Sequence, residues 1–170
     1  MININVDHNL DDIRKVLSSL SNDMEKKAAV RALNRVMQQT KTAAKREMVR
    51  NYSFKSSKIE SSMTVFRANS MRVEATLRSK SRRTRLIDMT ARQTKPGVTV
   101  KISRQRKLIK GAFIAKMKSG HIGVFRRLTK KSLPIKELYT IAIPEAMGSQ
   151  SVIDTMRNTV KTKFMERFAH

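Results

Sequence analysis

Seven cations fall in two short runs with no acid inside either: Lys80, Arg82, Arg83 and Arg85, then Arg104, Arg106 and Lys107. Side chains of these types can contact backbone phosphates without reading base sequence. Between Ala75 and Lys136 the chain carries nineteen Lys and Arg residues and one acid, Asp88. Across 170 residues, 37 bases against 13 acids give a formal charge of +24. A folded surface that positive repels itself unless an anion lies against it. Two partners answer that need, the double-stranded DNA backbone and an acidic protein neighbour, and charge does not choose between them. Single-strand binding by stacking needs exposed aromatics. Aromatics are only 5% of the chain, with no Trp, and Phe113 and Phe125 alternate with polar positions and read as core.

Other chemistry finds little support. His8, His121 and His170 lie at one terminus, in a hairpin and at the other terminus, with no metal-ligand spacing between them. A nuclease needs paired acids to hold metal ions against a phosphodiester. Near the basic region only Glu60, Glu74, Asp88 and Glu137 are available, and Asp88 alone among cations reads as a buried or bridged ion-pair partner. Gly97, Gly111, Gly120, Gly123 and Gly148 form no phosphate-binding loop. No Cys is present, so disulfides and thiolate metal sites are excluded, and a reducing cytoplasm suits the chain. No enzyme activity is expected, and no catalytic, cofactor-binding or metal residue is assigned. Residues 1–7 lack a signal-peptide pattern, and no apolar run is long enough to span a bilayer.

The elements that must position the cations are legible from periodicity. A single domain over 1–170 is expected, helical over 8–63, sheet over 64–142 and with a C-terminal helix over 144–168. Leu10, Ile13, Val16, Leu17 and Leu20 mark a short amphipathic helix, and Ser21 reads as the N-cap of the next. From Asn22 to about Tyr52 no Pro or Gly intervenes. Ala29, Val30, Leu33, Val36, Met37, Thr40, Ala44 and Met48 form one stripe there, with Arg31, Arg35, Gln38, Lys41 and Lys45 opposite. About thirty helical residues span roughly 45 Å, so part of the stripe, with the small residues Ala28, Ala29, Ala32, Ala43 and Ala44, suits a neighbouring subunit.

Ser56–Met63 suggests another short helix. Thr64–Ala68, Arg72–Arg78, Leu86–Met89 and Val98–Ile102 read as strands, with Pro96-Gly97 a turn. Ser79–Arg85 has no apolar residue and reads as a mobile basic loop, and Ser103–Lys110 as a second. Ala112–Met117 and His121–Arg126 flank Lys118-Ser119-Gly120 as a hairpin, and Leu138–Ala142 suits a last strand. Pro144 and Glu145 open a helix, and Val152, Met156, Val160, Phe164 and Phe168 give it an apolar stripe. The eleven methionines read as packing residues. Helices, then strands, then a helix argue an α+β fold: long N-terminal helix, central antiparallel sheet with basic loops, C-terminal amphipathic helix.

A resemblance adds to this. Gly97, Val98 and Val100 come first, followed by Lys107 and by Gly111-Ala112-Phe113-Ile114. Met117, Ser119-Gly120 and Val124-Phe125-Arg126-Arg127 come next, and then Leu133-Pro134-Ile135, Leu138 and Ile143-Pro144. This order resembles minor tail protein Z of lambda-like phages and prophages, within the tail-completion proteins of long-tailed phages. Ala29–Arg35 is similar to the family's Ala-rich helix bearing Asn-Arg, and between Ser53 and Lys95 only basic character is shared. The resemblance implies a non-enzymatic virion protein that completes the head-proximal end of the tail for head joining and DNA passage. Its implied partners are tail tube or tail terminator proteins, further copies of itself in a ring and the DNA backbone. Its implied location is the virion tail, with assembly in the host cytoplasm. The shared residues read as fold markers: Gly111 for close backbone approach, Phe113 for core, Gly120 for the turn, Pro134 and Pro144 for segment starts. The rival reading is a free, sequence-independent nucleic-acid-binding protein, for which +24 is equally natural.

Overall fold

A computed structural model describes Lys15 and residues 23–168. The helix expected over Leu10–Leu20, the Ser21 cap, His8, His170 and the Phe168 side chain lie outside the described residues.

Helix α1, Asp23–Asn51, runs for 29 residues with Asp23 and Glu25 in its first turn and Arg50 in its last, each charge opposing the helix dipole at its end. Its buried positions are Ala29, Ala32, Val36, Thr40, Ala44 and Met48. Val30, Leu33 and Met37, expected on this stripe, are half-buried, and Ala32 is buried instead. The cause is the partner helix α4, Gln150–Phe168. Phe164 packs on Ala32 and Val36, with Leu33 and Val160 around it, and Asn51 donates to Ser151 Oγ at 3.0 Å. The two helices are therefore antiparallel, and Ala32 of the small-residue stripe serves this contact within the chain, while Ala28 stays exposed. Thr40 satisfies its buried hydroxyl on the Val36 carbonyl at 2.9 Å.

Helix α2, Ser56–Ser62, is tied to α1 by Glu60, whose carboxylate meets Lys41 and Lys45 at 2.8 Å each. Hydrogen bonds from these two ammonium groups hold the Glu60 carboxyl down to about 2.

Ten short strands follow among the described residues. They pair antiparallel in four small sheets, not one. Strand β1, Met63–Phe66, pairs with β2, Thr76–Ser79. The strand expected over Arg72–Arg78 forms only from Thr76, because Asn69 Oδ1 accepts from the backbone N–H groups of Met71 and Arg72 and folds the preceding residues into a turn. That connection is pinned to α1 by Asn34, whose amide accepts from Ala68 N–H at 2.8 Å and donates to its carbonyl at 3.0 Å.

Strand β3, Arg83–Arg85, pairs with β10, Tyr139–Ala142. The expected mobile loop over Ser79–Arg85 is thus mostly structured: Ser79 ends β2 buried, and Thr84 is buried on β3. Backbone pairing and one inward Thr hold it where no apolar side chain signals a strand. Leu86–Asp88 is a 3-10 turn and not the expected strand. The spacing of three brings Leu86 and Met89 both into the core.

Strands β4 (Arg92–Thr94), β5 (Gly97–Lys101) and β6 (Arg106–Lys110) form one sheet. Pro96-Gly97 makes the expected turn, whereas β4 and β6 carry no strand pattern, and β6 replaces half of the expected second loop. Three of its five residues are cationic, which hides the alternation. Strands β7 (Ala112–Lys116), β8 (Ile122–Arg127) and β9 (Ile135–Glu137) form another. Gly120 takes φ +82° in the β7–β8 turn, as its role there demands. Gly111 has open space around the position of a Cβ and a φ of +70°, so it serves a left-handed turn and not the close approach expected of it. Gly97 supplies the close approach, where a Cβ would overlap the Ile109 carbonyl. Phe113 is half-buried and capped by the Arg127 guanidinium 4.9 Å from its ring centre.

Helix α3, Ile143–Met147, starts with Pro144 in its first turn, and Glu145 accepts from Ala142 N–H at 3.3 Å. The main core joins Met48, Ile59, Met89, Val98, Val100, Val124, Met147 and Val152, one or more from almost every element. The order of long helix, small antiparallel sheets and C-terminal helix makes this the α+β fold expected.

Candidate functional site

The first basic run lies on a cleft of about 450 Å³ between α2, β3 and β10. Two backbone features place it. Lys80 N–H donates to Ser62 O at 2.8 Å. Ser81 Oγ accepts from Ile143 N–H at 3.2 Å and donates to Arg82 O at 3.1 Å. The short β2–β3 connection is thereby held against α2 and α3, and Lys80, Arg82, Arg83 and Arg85 all reach the cleft wall.

Lys58 on α2 belongs to the same wall, although nothing in its local sequence singles it out. Its Nζ meets Asp88 Oδ2 at 2.6 Å, and Arg85 meets Asp88 Oδ1 at 3.4 Å. Asp88 is therefore the bridged ion-pair partner its isolation implied. Burial pushes its carboxyl up, but the Lys58 hydrogen bond and the Lys58 and Arg85 charges prevail and hold it below the ordinary value. Lys80, Arg82 and Arg83 are exposed, and their side chains make no hydrogen bond or ion pair among the described residues. Tyr139 closes one side, its hydroxyl donating to Glu137 at 2.8 Å, which pushes the phenol pKa up.

The second run does not form one surface. Arg104 donates to Asn51 Oδ1 at 3.2 Å in a different cleft, of about 570 Å³, which also holds the acid Glu47. Arg106 donates to Thr90 O at 3.2 Å. On β6, Lys107 lies opposite Val100 and Arg106 opposite Lys101. Opposed residues share a face and neighbours alternate, so Arg106 and Lys107 leave the sheet on opposite sides.

The acids that nuclease chemistry would need are dispersed. Glu60 is bound by Lys41 and Lys45, Glu74 by Arg72, Asp88 by Lys58 and Arg85, and Glu137 by His121 at 3.0 Å. No group of three or more metal-binding side chains occurs among the described residues. No helix among them is long and apolar enough to cross a membrane.

Fold and cleft together define a basic α+β protein that presents cations unpaired among the described residues on structured backbone. More particularly, the chain belongs to the prophage minor tail protein Z family, whose model matches residues 9–170. It is a phage tail protein with a structural role among other tail components. The match runs through residues 53–95, where basic character is the only likeness visible in the residues themselves. No curated protein and no solved structure matches the chain significantly.

Proposed function

We propose that this protein completes the head-proximal end of the tail, as one unit over 1–170, and makes it competent to join a head and pass DNA. The family match over residues 9–170 carries the reading. Copies of the chain form a ring around the DNA path, matched to the cyclic symmetry of a tail tube. Its other neighbours are tail tube or tail terminator proteins, and it acts in the virion tail after assembly in the host cytoplasm. It works by binding and not by catalysis. Exposed Lys80, Arg82 and Arg83, unpaired among the described residues, support contact with an anionic partner.

Deletion of the gene tests the reading. Tails that remain headless, or that join heads but do not eject DNA, are the expected result. Normal infectious particles without the protein would sink it. The rival, a free nucleic-acid-binding protein, accounts for the charge of +24 equally well. It predicts a monomer at all concentrations in analytical ultracentrifugation, where the tail reading expects concentration-dependent rings.

A further inference from the structure

We propose that the cleft between α2 and β3 is a seat for the phosphodiester backbone of duplex DNA, with Lys58 as one of its cations and Asp88 as the built-in counter-ion of Lys58 and Arg85. This deepens the DNA-contact part of the tail reading and rests on it.

The lining chemistry favours phosphate over an acidic protein segment. The walls carry Lys58, Lys80, Arg82, Arg83 and Arg85, the side-chain types that hold phosphate oxygens; the Ser61 and Ser81 hydroxyls already donate to the Lys58 and Arg82 carbonyls. A docked peptide draws most of its binding energy from a few anchors seated in apolar pockets. Among the lining residues Ile143 is buried, which leaves the half-exposed Tyr139 ring as the one large apolar anchor. Strand geometry adds spacing. Thr84 turns inward on β3, so Arg83 and Arg85 stand on the other face, about 6.8 Å apart by strand rise. Consecutive phosphates of one strand can be met by such a pair.

The charge is arranged in two tiers. Asp88 holds Lys58 and Arg85 in ion pairs, while Lys80, Arg82 and Arg83 stand unpaired among the described residues. The unpaired cations are free to engage phosphates, and the paired ones are already positioned. Five cations against one carboxylate leave the cleft strongly positive even with Asp88 ionised.

The test uses the full-length protein and a short duplex of arbitrary sequence, with binding followed by fluorescence anisotropy between about 50 and 200 mM salt. Replacing Lys80, Arg82 and Arg83 together by Ala is expected to weaken binding about tenfold or more. The log–log salt slope should flatten by about 0.9 for each phosphate that is no longer neutralised. Lys58→Ala is expected to flatten it by about 0.9, the share of a single phosphate. Asp88→Asn is expected to tighten binding, since it removes the carboxylate that competes with phosphate for Lys58 and Arg85. A Lys130→Ala, Lys131→Ala pair, exposed and outside the cleft, should retain most of the affinity. The seat is overturned if the triple variant binds like the wild type, or if the control pair loses as much. Poly-glutamate that binds the wild type more tightly than the duplex does, and loses that affinity in the triple variant, would assign the cleft to an acidic protein and overturn it too. The tail reading stands or falls separately, on the deletion phenotype.

Discussion

Asn34 makes the backbone of Ala68 behave as if a strand lay beside it, supplying both an acceptor and a donor from one side chain. Ala68 is buried, so removing the amide strands two polar groups that water cannot easily reach. Asn34→Ala should cost about 1–3 kcal/mol in urea denaturation. An unchanged midpoint would mean that the β1–β2 connection is held by something else. Glu60 offers a second residue-scale test. Its folded carboxyl sits near 2, against an ordinary value of 4.5. The folded state therefore binds the proton more weakly, and the stabilisation is fully present above 4.5 and lost as pH falls toward 2. The carboxylate is well exposed to solvent, so the effect at neutral pH should stay below about 1 kcal/mol. Glu60→Gln should flatten the fall of melting temperature over that acid window. A wild-type slope in the variant would show that the Lys41–Glu60–Lys45 cluster contributes nothing measurable.

At the scale of elements, the joints are unequal. The α1–α4 pair depends on Phe164, fully buried against Ala32 and Val36. Truncating a buried aromatic leaves a cavity as well as a loss of transfer energy, so Phe164→Ala should cost about 3–5 kcal/mol. Circular dichroism during urea titration would register it, and a much smaller loss would mean the two helices collapse together. The β5–β6 pairing depends on Gly97, where any Cβ meets the Ile109 carbonyl. Gly97→Ala should cost about 1–3 kcal/mol, with hydrogen exchange rising first at β6. Exchange unchanged there would show that the strands can separate without penalty. Several of these joints are legible in the sequence: the 29-residue α1, the Gly120 hairpin and the Pro144 start all follow from local periodicity and turn chemistry. Strands β3, β4, β6 and β9 are not, because each is short, polar or cationic and is held by backbone pairing rather than by an alternating apolar face.

At the scale of the whole molecule, a charge of +24 opposes compaction. Salt should therefore stabilise the free protein, with melting temperature rising from about 10 mM to 150 mM as the screening length shortens from roughly 30 to 8 Å. A melting temperature that falls with salt would show that ion pairs outweigh the net repulsion. The site is half legible at this scale. Lys80, Arg82, Arg83 and Arg85 are neighbours in sequence and remain neighbours in space. Arg104, Arg106 and Lys107 are neighbours in sequence only, since one enters another cleft and the other two leave a sheet on opposite faces.

The amino-acid sequence by itself determined the basic character, the succession of a helical, a sheet and a second helical region, the isolation of Asp88 and the family likeness. These depend on composition, on periods of two and 3.6, and on residues close together along the chain. Tertiary structure alone decided that Lys58 joins the first basic run, that Ala32 of the small-residue stripe of α1 is spent on α4, and which cations stay unpaired among the described residues. Those outcomes depend on contacts between residues tens to more than a hundred positions apart, for which no local pattern carries a signal.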